Sequence, residues 1–553
     1  MSETNRIGKV SATERQPTTV DEFHFWIQDD TLVKPFDIVK VKHYRQSITY
    51  GVIEDIWHTT DSPGHIGSYV SSDFGDVASE PQTLRLGVSI AKCKVLSNHP
   101  QNGTETEQIY MPIQDGSPVY FASESEIIEA LGLKHINNPI PAGFIETSSA
   151  SVPIHFNRDF LIGPEGAHLN ISGISGLATK TSYAMFLLQA LQQKQNDIAI
   201  IILNVKGTDL LRLDEANPKL RSQDQHEYKK SGLECKPFEQ VTYFYPYQNH
   251  EDKFYSHTYL SKEVLEQQHD GSNCAFNYIY TYENDRENLD LLFSNIDDPN
   301  QTMESILNEI IENPEFDGLT WESFLSTIKE YTQKGHSKGK EISIASWRKF
   351  TRLIRKSINN NIFQGSKSAS KKKHCYLKEK IQNIRNSDIF VIDMAKLDEQ
   401  LQCFVFGDIV KAVYELKLGE TERNEESIPK QVIIFVDELN KYAAASAPKN
   451  SPILNAILEI SERGRSMGVI LFSAEQFKSD IHDRAKGNCS THVYGRTNAI
   501  EISKPDYRFI PKVFTNMMTR LSKGELIIEH PIFRTLLKIK FPFPAYHQNQ
   551  EKD

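Results

Sequence analysis

Four short runs of unbroken apolar sequence constrain this chain most: Ile198–Leu203, Ile389-Phe-Val-Ile392, Val432-Ile-Ile-Phe-Val436 and Gly468-Val-Ile-Leu-Phe472. A strand with one wet face alternates apolar and polar residues, whereas a strand covered on both faces can be apolar throughout. Each run is therefore expected to be a buried parallel strand. Helical patterns lie between them, at Glu399–Leu418 and Ile453–Glu462. Strands alternating with helices predict a doubly wound α/β fold.

The rest of the chain has a different rhythm. Its 553 residues suggest about three to four domains. Residues 1–20 read as a flexible tail. From Phe23 to about Pro141, short β-type runs such as Phe36–His43, Ile48–Ile53 and Leu84–Leu96 are broken by turn residues. Their alternation and spacing predict a small N-terminal β-barrel over 21–145. Pro139-Ile-Pro141 and Ser148–Ser151 read as a linker. An α/β core is expected over 150–212 and 387–535, interrupted by a mostly helical insertion at 213–386. Segments such as Leu289–Ile311 and Trp321–Gln333 suggest its helices. Residues 536–553 read as a C-terminal tail. No fixed-period repeat is present.

One segment carries the chemistry of phosphate binding: Gly173-Ile-Ser-Gly-Leu-Ala-Thr-Lys-Thr-Ser182. It follows the apolar His168–Ile171 and precedes the apolar Tyr183–Leu191. A phosphate loop needs small residues, so that backbone N–H groups converge on phosphate oxygens, and a helix N-terminus to present its positive end. It also needs a lysine for the β/γ-phosphates and a hydroxyl for Mg²⁺. Lys180 and Thr181 suit those two roles. Gly173, Ser175, Gly176, Leu177, Ala178, Thr179 and Ser182 complete the candidate nucleotide-binding set. The loop departs from the strict pattern: Thr179 stands before the lysine where a glycine is usual, and Gly173 lies one position too early. Taken alone, the segment also reads as a Gly/Ser turn opening a helix.

Farther along, Gln431-Val-Ile-Ile-Phe-Val-Asp-Glu438 is an apolar strand ending in two acids. Asp437 suits an Mg²⁺ partner and Glu438 the polarisation of an attacking water. The pairing of loop and acidic strand end says more than either piece. Ser461-Glu-Arg-Gly-Arg-Ser-Met-Gly468 then leads through Val469–Phe472 into Ser473-Ala-Glu-Gln476. Gln476 would end a strand near the acidic one and could sense a γ-phosphate. Arg463 and Arg465 are candidate arginine fingers toward a neighbouring subunit. Arg496 is a further candidate contact to nucleotide across a subunit boundary.

With these motifs in view, the chain resembles the HerA family, in the FtsK/HerA branch of P-loop motors. The resemblance rests on Gly163–Gly176, Ala178–Ser182, Phe435-Val-Asp-Glu438, Glu462-Arg-Gly-Arg465 and Phe472-Ser-Ala-Glu-Gln476. It implies a RecA-like ATPase core and an N-terminal barrel of the HAS type. It further implies a homo-hexameric ring that pumps double-stranded DNA with ATP and Mg²⁺. Its bacterial members work with nucleases or sirtuin-like NADases in anti-phage defence, so an effector protein of that kind is the implied partner. Gly207 and Asp209 fit the family's loop after the Ile198–Leu203 strand. Asn204 stands where many relatives carry aspartate.

Bulk composition limits the alternatives. Hydrophobic residues make up 39% and charged residues 24%, which favours packed domains over disorder. The longest apolar runs fall far short of the ~20 residues of a membrane span, and Met1–Thr19 carries no apolar signal core. The six cysteines form no CxxC pair, so neither a zinc ribbon nor a disulfide framework is suggested. A cytoplasmic protein is expected. The net charge of −11 argues against a generally basic nucleic-acid coat but not against a ring that is positive only along its pore. Lys371–Lys373 could meet DNA phosphates, although a solvated loop is the plainer reading. A nucleotide-bound scaffold with little turnover is the main alternative to a motor. A metabolic kinase lacks any acceptor motif.

Overall fold

The computed structural model describes residues 6–78, 86–100, 109–174, 179–249, 256–298, 300–333, 342–366, 373–421 and 423–548. Two β-systems organise them. The first is made of β1 (Arg6–Ser11), β2 (Glu22–Ile27), β3 (Ile38–Lys42), β4 (Ile48–Thr60), β5 (Gly87–His99) and β6 (Pro118–Phe121). These pair antiparallel in the order β1-β2-β5-β4-β3-β6, and β6 pairs back to β1, which closes the cycle. Phe23, Phe25, Val39, Val41, Ile53, Cys93 and Val119 form the buried centre. Residues 1–20 do not behave as one tail, because Arg6–Ser11 pairs with both β2 and β6.

The second system is a 13-stranded sheet. Its strands are β7 (Pro139–Glu146), β8 (Ser151–Asn157), β9 (Leu169–Ser172), β10 (Ile198–Asn204), β11 (Val241–Pro246), β12 (Ala275–Tyr278) and β13 (His374–Cys375). They continue with β14 (Ile389–Asp393), β15 (Gln431–Asp437), β16 (Val469–Glu475), β17 (Thr491–Tyr494), β18 (Glu525–Glu529) and β19 (Leu537–Lys540). The order is β13-β12-β11-β14-β10-β15-β16-β9-β17-β18-β19-β7-β8. From β13 through β17 neighbouring strands run parallel. From β17 to β8 they run antiparallel. This mixed α/β architecture with a parallel-rich sheet is consistent with a RecA-like P-loop core.

The apolar runs are buried on both faces, as their composition requires. Ile198, Ile200, Ile202, Ile433, Phe435, Ile470 and Phe472 point into a core shared with the helix Thr179–Lys194. The alternate residues Ala199, Ile201, Leu203, Val432, Ile434, Val436, Val469 and Leu471 point the other way. There they meet the helices Glu399–Lys417 and Pro452–Glu459.

Three expectations are corrected at the level of residues. Pro139–Pro141 and Ser148–Ser151 do not form a linker: the first lies in β7, and Ser151 opens β8 of the same hairpin. Its turn is tied to the first β-system, with the Ser148 amide and hydroxyl donating to the buried Asp37 carboxylate at 2.6 and 2.7 Å. Residues 536–553 are not simply a tail either. Leu537–Lys540 pairs with β18, and Ala545 and Tyr546 are buried against the helix Thr179–Lys194 core. Finally, 213–386 contains helices such as Thr302–Glu312, Trp321–Glu330 and Ile344–Ile358, yet it also supplies β11, β12 and β13 to the sheet. The unpaired edge of β14 needs a hydrogen-bonding neighbour, and the aromatic run Val241–Pro246 provides one.

Candidate functional site

Parallel strands deliver their carboxyl ends to one rim of the sheet, where open α/β folds bind ligands. Register fixes who meets whom there. Ser172 of β9 is level with Glu475 of β16 and Tyr494 of β17, while Asp437 of β15 is level with Ala474. Residues that follow these strand ends in the chain therefore gather in one crevice.

The loop after β9 starts from a tightly laced turn. Gly173 has φ +155°, and a Cβ there would sit 3.0 Å from the Gly495 Cα. Its N–H donates to the Glu475 carbonyl at 3.1 Å, and the Ile174 N–H donates to the Arg496 carbonyl at 2.7 Å. Arg496 is thus beside the loop through its backbone, with its side chain exposed. Ser175, Gly176, Leu177 and Ala178 lie outside the described residues. The helix that follows begins at the buried Thr179 and runs 16 residues, so its positive end faces the crevice.

Lys180 is 7% exposed, and its Nζ has no hydrogen-bond partner among the described residues. Burial pulls its ammonium down to about 8, against the attraction of Asp437, with Lys206 pushing in the same direction as burial. A buried, unpartnered cation is costly unless something anionic completes it. Thr181 donates its hydroxyl to Asp437 Oδ2 at 3.2 Å, and Asp437 Oδ1 is buried with no partner among the described residues. Glu438 leaves β15 in left-handed backbone, φ +61° and ψ +50°, with its N–H on the Ala474 carbonyl at 2.6 Å. Its carboxylate takes Lys206 Nζ at 3.1 Å and Lys441 Nζ at 2.6 Å. Burial alone would raise the Glu438 carboxyl, but the Lys441 hydrogen bond and the Lys206 charge outweigh it and hold it below the usual range.

The remaining candidates divide. Gln476 follows β16 directly and is half-buried at the same rim. Ser182 is buried one turn inside the helix and accepts from Gln548 Nε2 at 3.0 Å, so its hydroxyl is engaged by the C-terminal segment. Arg463 and Arg465 precede β16 and stand at its amino end. Seven residues of strand, about 20 Å, separate them from the rim, so neither reaches the crevice of its own chain. Both are exposed; Arg463 lies 3.8 Å from Glu459 and Arg465 donates to the Glu165 carbonyl at 3.3 Å. Asn204 donates to Asp393 Oδ1 at 2.8 Å and to the Gly207 carbonyl at 3.1 Å, which shapes the turn after β10. Asp209 is exposed at the surface, and partial desolvation raises its carboxyl against the pull of Lys206. Of Lys371–Lys373 only Lys373 is described, and it donates to Asn273 Oδ1 at 2.9 Å.

Two residues at the rim had no place in the sequence reading. Lys206 bridges Asp437 Oδ2 and Glu438 Oε1, each at 3.1 Å. Its signal was a lysine two positions past a buried strand, between Asn204 and Gly207, which also suits a solvated turn. Glu475 is fully buried; its carboxyl accepts from Asn170, and burial pushes it up to about 8 against the pull of Lys180. Chemically, the crevice offers a free ammonium, a hydroxyl–carboxylate pair, a carboxylate and a helix N-terminus, the complement of a polyphosphate with its divalent cation.

No family model matches the chain, and no curated protein matches it. Among solved structures, the bacterial conjugative coupling protein TrwB in an unbound form is 11% identical over 72% of this chain and 89% of its own, with a TM-score of 0.43. VirB4 of Thermoanaerobacter pseudethanolicus is 11% identical over 73% and 97%, also at 0.43. The genome packaging NTPase B204 from Sulfolobus turreted icosahedral virus 2, in complex with ATP-gammaS, is 15% identical over 30% and 72%, at 0.23. These likenesses are distant, and the case for the site rests on this chain's own residues. Among the described residues no helix is long and apolar enough to cross a membrane.

Proposed function

We propose that the chain is an ATP-hydrolysing P-loop motor of the HerA type. It assembles as a homo-hexameric ring, moves double-stranded DNA and acts with a separate effector, a nuclease or sirtuin-like NADase, in anti-phage defence. The observation that carries the ATPase part is the convergence of the unpartnered Lys180 ammonium with Thr181, Asp437 and Glu438 at one rim. The ring, the DNA and the effector rest on the sequence resemblance alone.

In this reading Lys180 binds the β/γ-phosphates and the N-terminus of its helix supports them. Thr181 and Asp437 fit Mg²⁺, which takes one or two protein oxygens and completes its shell with water and substrate phosphates. When bound, the ion neutralises charge on the phosphates. Glu438, held as carboxylate, accepts the proton of the attacking water, and Gln476 reports on the γ-phosphate. Arg463 and Arg465 act only on a neighbour's nucleotide, since their own crevice is a strand length away. Arg496 contacts nucleotide across the subunit boundary, a role supported by its backbone lying beside the loop.

A scaffold with little turnover is the second reading, favoured by Thr179 in the loop and by the two lysines on Glu438. Turnover with and without duplex DNA, alongside the native particle mass, separates the two. DNA-stimulated ATPase activity in a hexamer supports the motor. A hexamer that binds ATP without turnover supports the scaffold, and a monomer that binds no nucleotide overturns both.

A further inference from the structure

Lys206 holds a position that two cations would want. Its Nζ lies 3.1 Å from Asp437 Oδ2, the same oxygen that accepts from Thr181 at 3.2 Å, and 3.1 Å from Glu438 Oε1. Thr181 and Asp437 are the pair assigned above to the divalent ion. The turn that carries Lys206 is pinned behind it, with Asn204 Nδ2 on the Gly207 carbonyl and Gly207 in left-handed backbone at φ +61°. The side chain itself is 46% exposed, which leaves its flexible stem room to swing out. Lys441 differs: it pairs with Glu438 Oε2 at 2.6 Å, on the far oxygen of that carboxylate.

Resting on the nucleotide-site reading, we propose that Lys206 is the counter-ion of Asp437 and Glu438 in the nucleotide-free protein. It competes with the divalent cation for Asp437 and restrains Glu438 until the metal-bearing nucleotide displaces it. A buried carboxylate, Asp437, and a half-buried one, Glu438, side by side repel each other and need a positive charge between them. An ammonium provides it with no ligand bound. A divalent ion at Thr181 and Asp437 provides it instead and repels the ammonium. Loading the site and freeing Glu438 Oε1 then become one event, while Lys441 stays on the other oxygen, so water is not activated before substrate is in place.

The test uses nucleotide-free full-length protein and Mn²⁺ as the probe, read by the loss of the free-ion paramagnetic resonance signal. Lys206→Met, which keeps the stem and removes the charge, is expected to bind Mn²⁺ at least about tenfold more tightly than the parent. Lys441→Met is expected to change it much less. Equal Mn²⁺ affinity in the parent and Lys206→Met, or an equal gain in both variants, overturns the proposal. A second measurement needs no variant. Acylation of the parent lysines, followed by mass spectrometry, should show Lys206 becoming more reactive when Mn²⁺ is added, relative to Lys441. Unchanged Lys206 reactivity at saturating Mn²⁺ also overturns it. Binding of a fluorescent ATP analogue to the same parent preparation reports separately on the nucleotide reading.

Discussion

Thr181 and Asp437 are 256 positions apart in the chain, and the hydroxyl of one donates to the carboxylate of the other at 3.2 Å. Two motifs of weak individual signal are thus joined by the sheet. β9 and β15 are not neighbours; β16 lies between them, and the helix after β9 carries Thr181 across it. The contact ties a local sequence pattern to a tertiary arrangement that a Gly/Ser turn opening an ordinary helix would not need.

Nucleotide affinity should fall as pH rises through about 8. Below that value Lys180 carries its proton and Glu475 is neutral; above it Lys180 discharges and Glu475 ionises. Both changes make the pocket less attractive to phosphate, so the sign is the same for each. If only the protonated lysine binds, affinity at pH 9 is about tenfold weaker than at pH 7. Titration of a fluorescent ATP analogue across pH 6.5–9.5 checks this. Lys180→Ala should bind weakly throughout with a flatter profile. A parent whose affinity is constant across pH 8 contradicts the role given to Lys180.

Gly173→Ala should be destabilising and should weaken nucleotide binding. The backbone there is at φ +155°, and the added methyl would lie 3.0 Å from the Gly495 Cα, backbone on backbone with no flexible side chain to yield. Strain of this kind costs on the order of 1–3 kcal/mol. Thermal unfolding gives the stability term. Gly207→Ala is the comparison: it shares a left-handed φ but meets nothing within 4 Å, so its cost is backbone strain alone. Equal Tm losses in the two variants would contradict the close packing of the loop start against β17.

If Arg463 or Arg465 acts in trans, its alanine variant should bind nucleotide and lose turnover, by about 10³-fold or more. Mixing that variant with Glu438→Gln protein should restore part of the activity, because some interfaces then pair an intact glutamate with an intact arginine. The rescue requires subunits to exchange between rings. Two fully active single variants would return both arginines to a surface role, where a change costs little. Arg496 is then next to test.

Much of the core was legible because burial on both faces leaves a strand no polar positions; Ile198–Asn204 and Gln431–Asp437 announced themselves in this way. The hairpin β7–β8 did not, because Pro139-Ile-Pro141 and Ser148–Ser151 read as a linker, although strand starts and sheet margins tolerate proline. The strands β12 and β13 were missed because they are short, and β11 because its aromatic and polar residues carry no clear period. At the site, Lys180, Thr181, Asp437 and Glu438 were recognisable from chemistry at fixed spacing. Lys206 and Glu475 were not, since a lysine in a turn and a glutamate before Gln476 look solvated until the register brings them to Asp437 and Lys180.

The central claim is that Glu438 performs hydrolysis in a site built by Lys180, Thr181 and Asp437. Glu438→Gln preserves shape and removes the proton-accepting carboxylate. The deciding measurement is phosphate release by this variant beside its affinity for a fluorescent ATP analogue, each compared with the parent. Parental affinity with turnover reduced by about 10² or more is the expected result. Phosphate release at the parental rate would contradict the account.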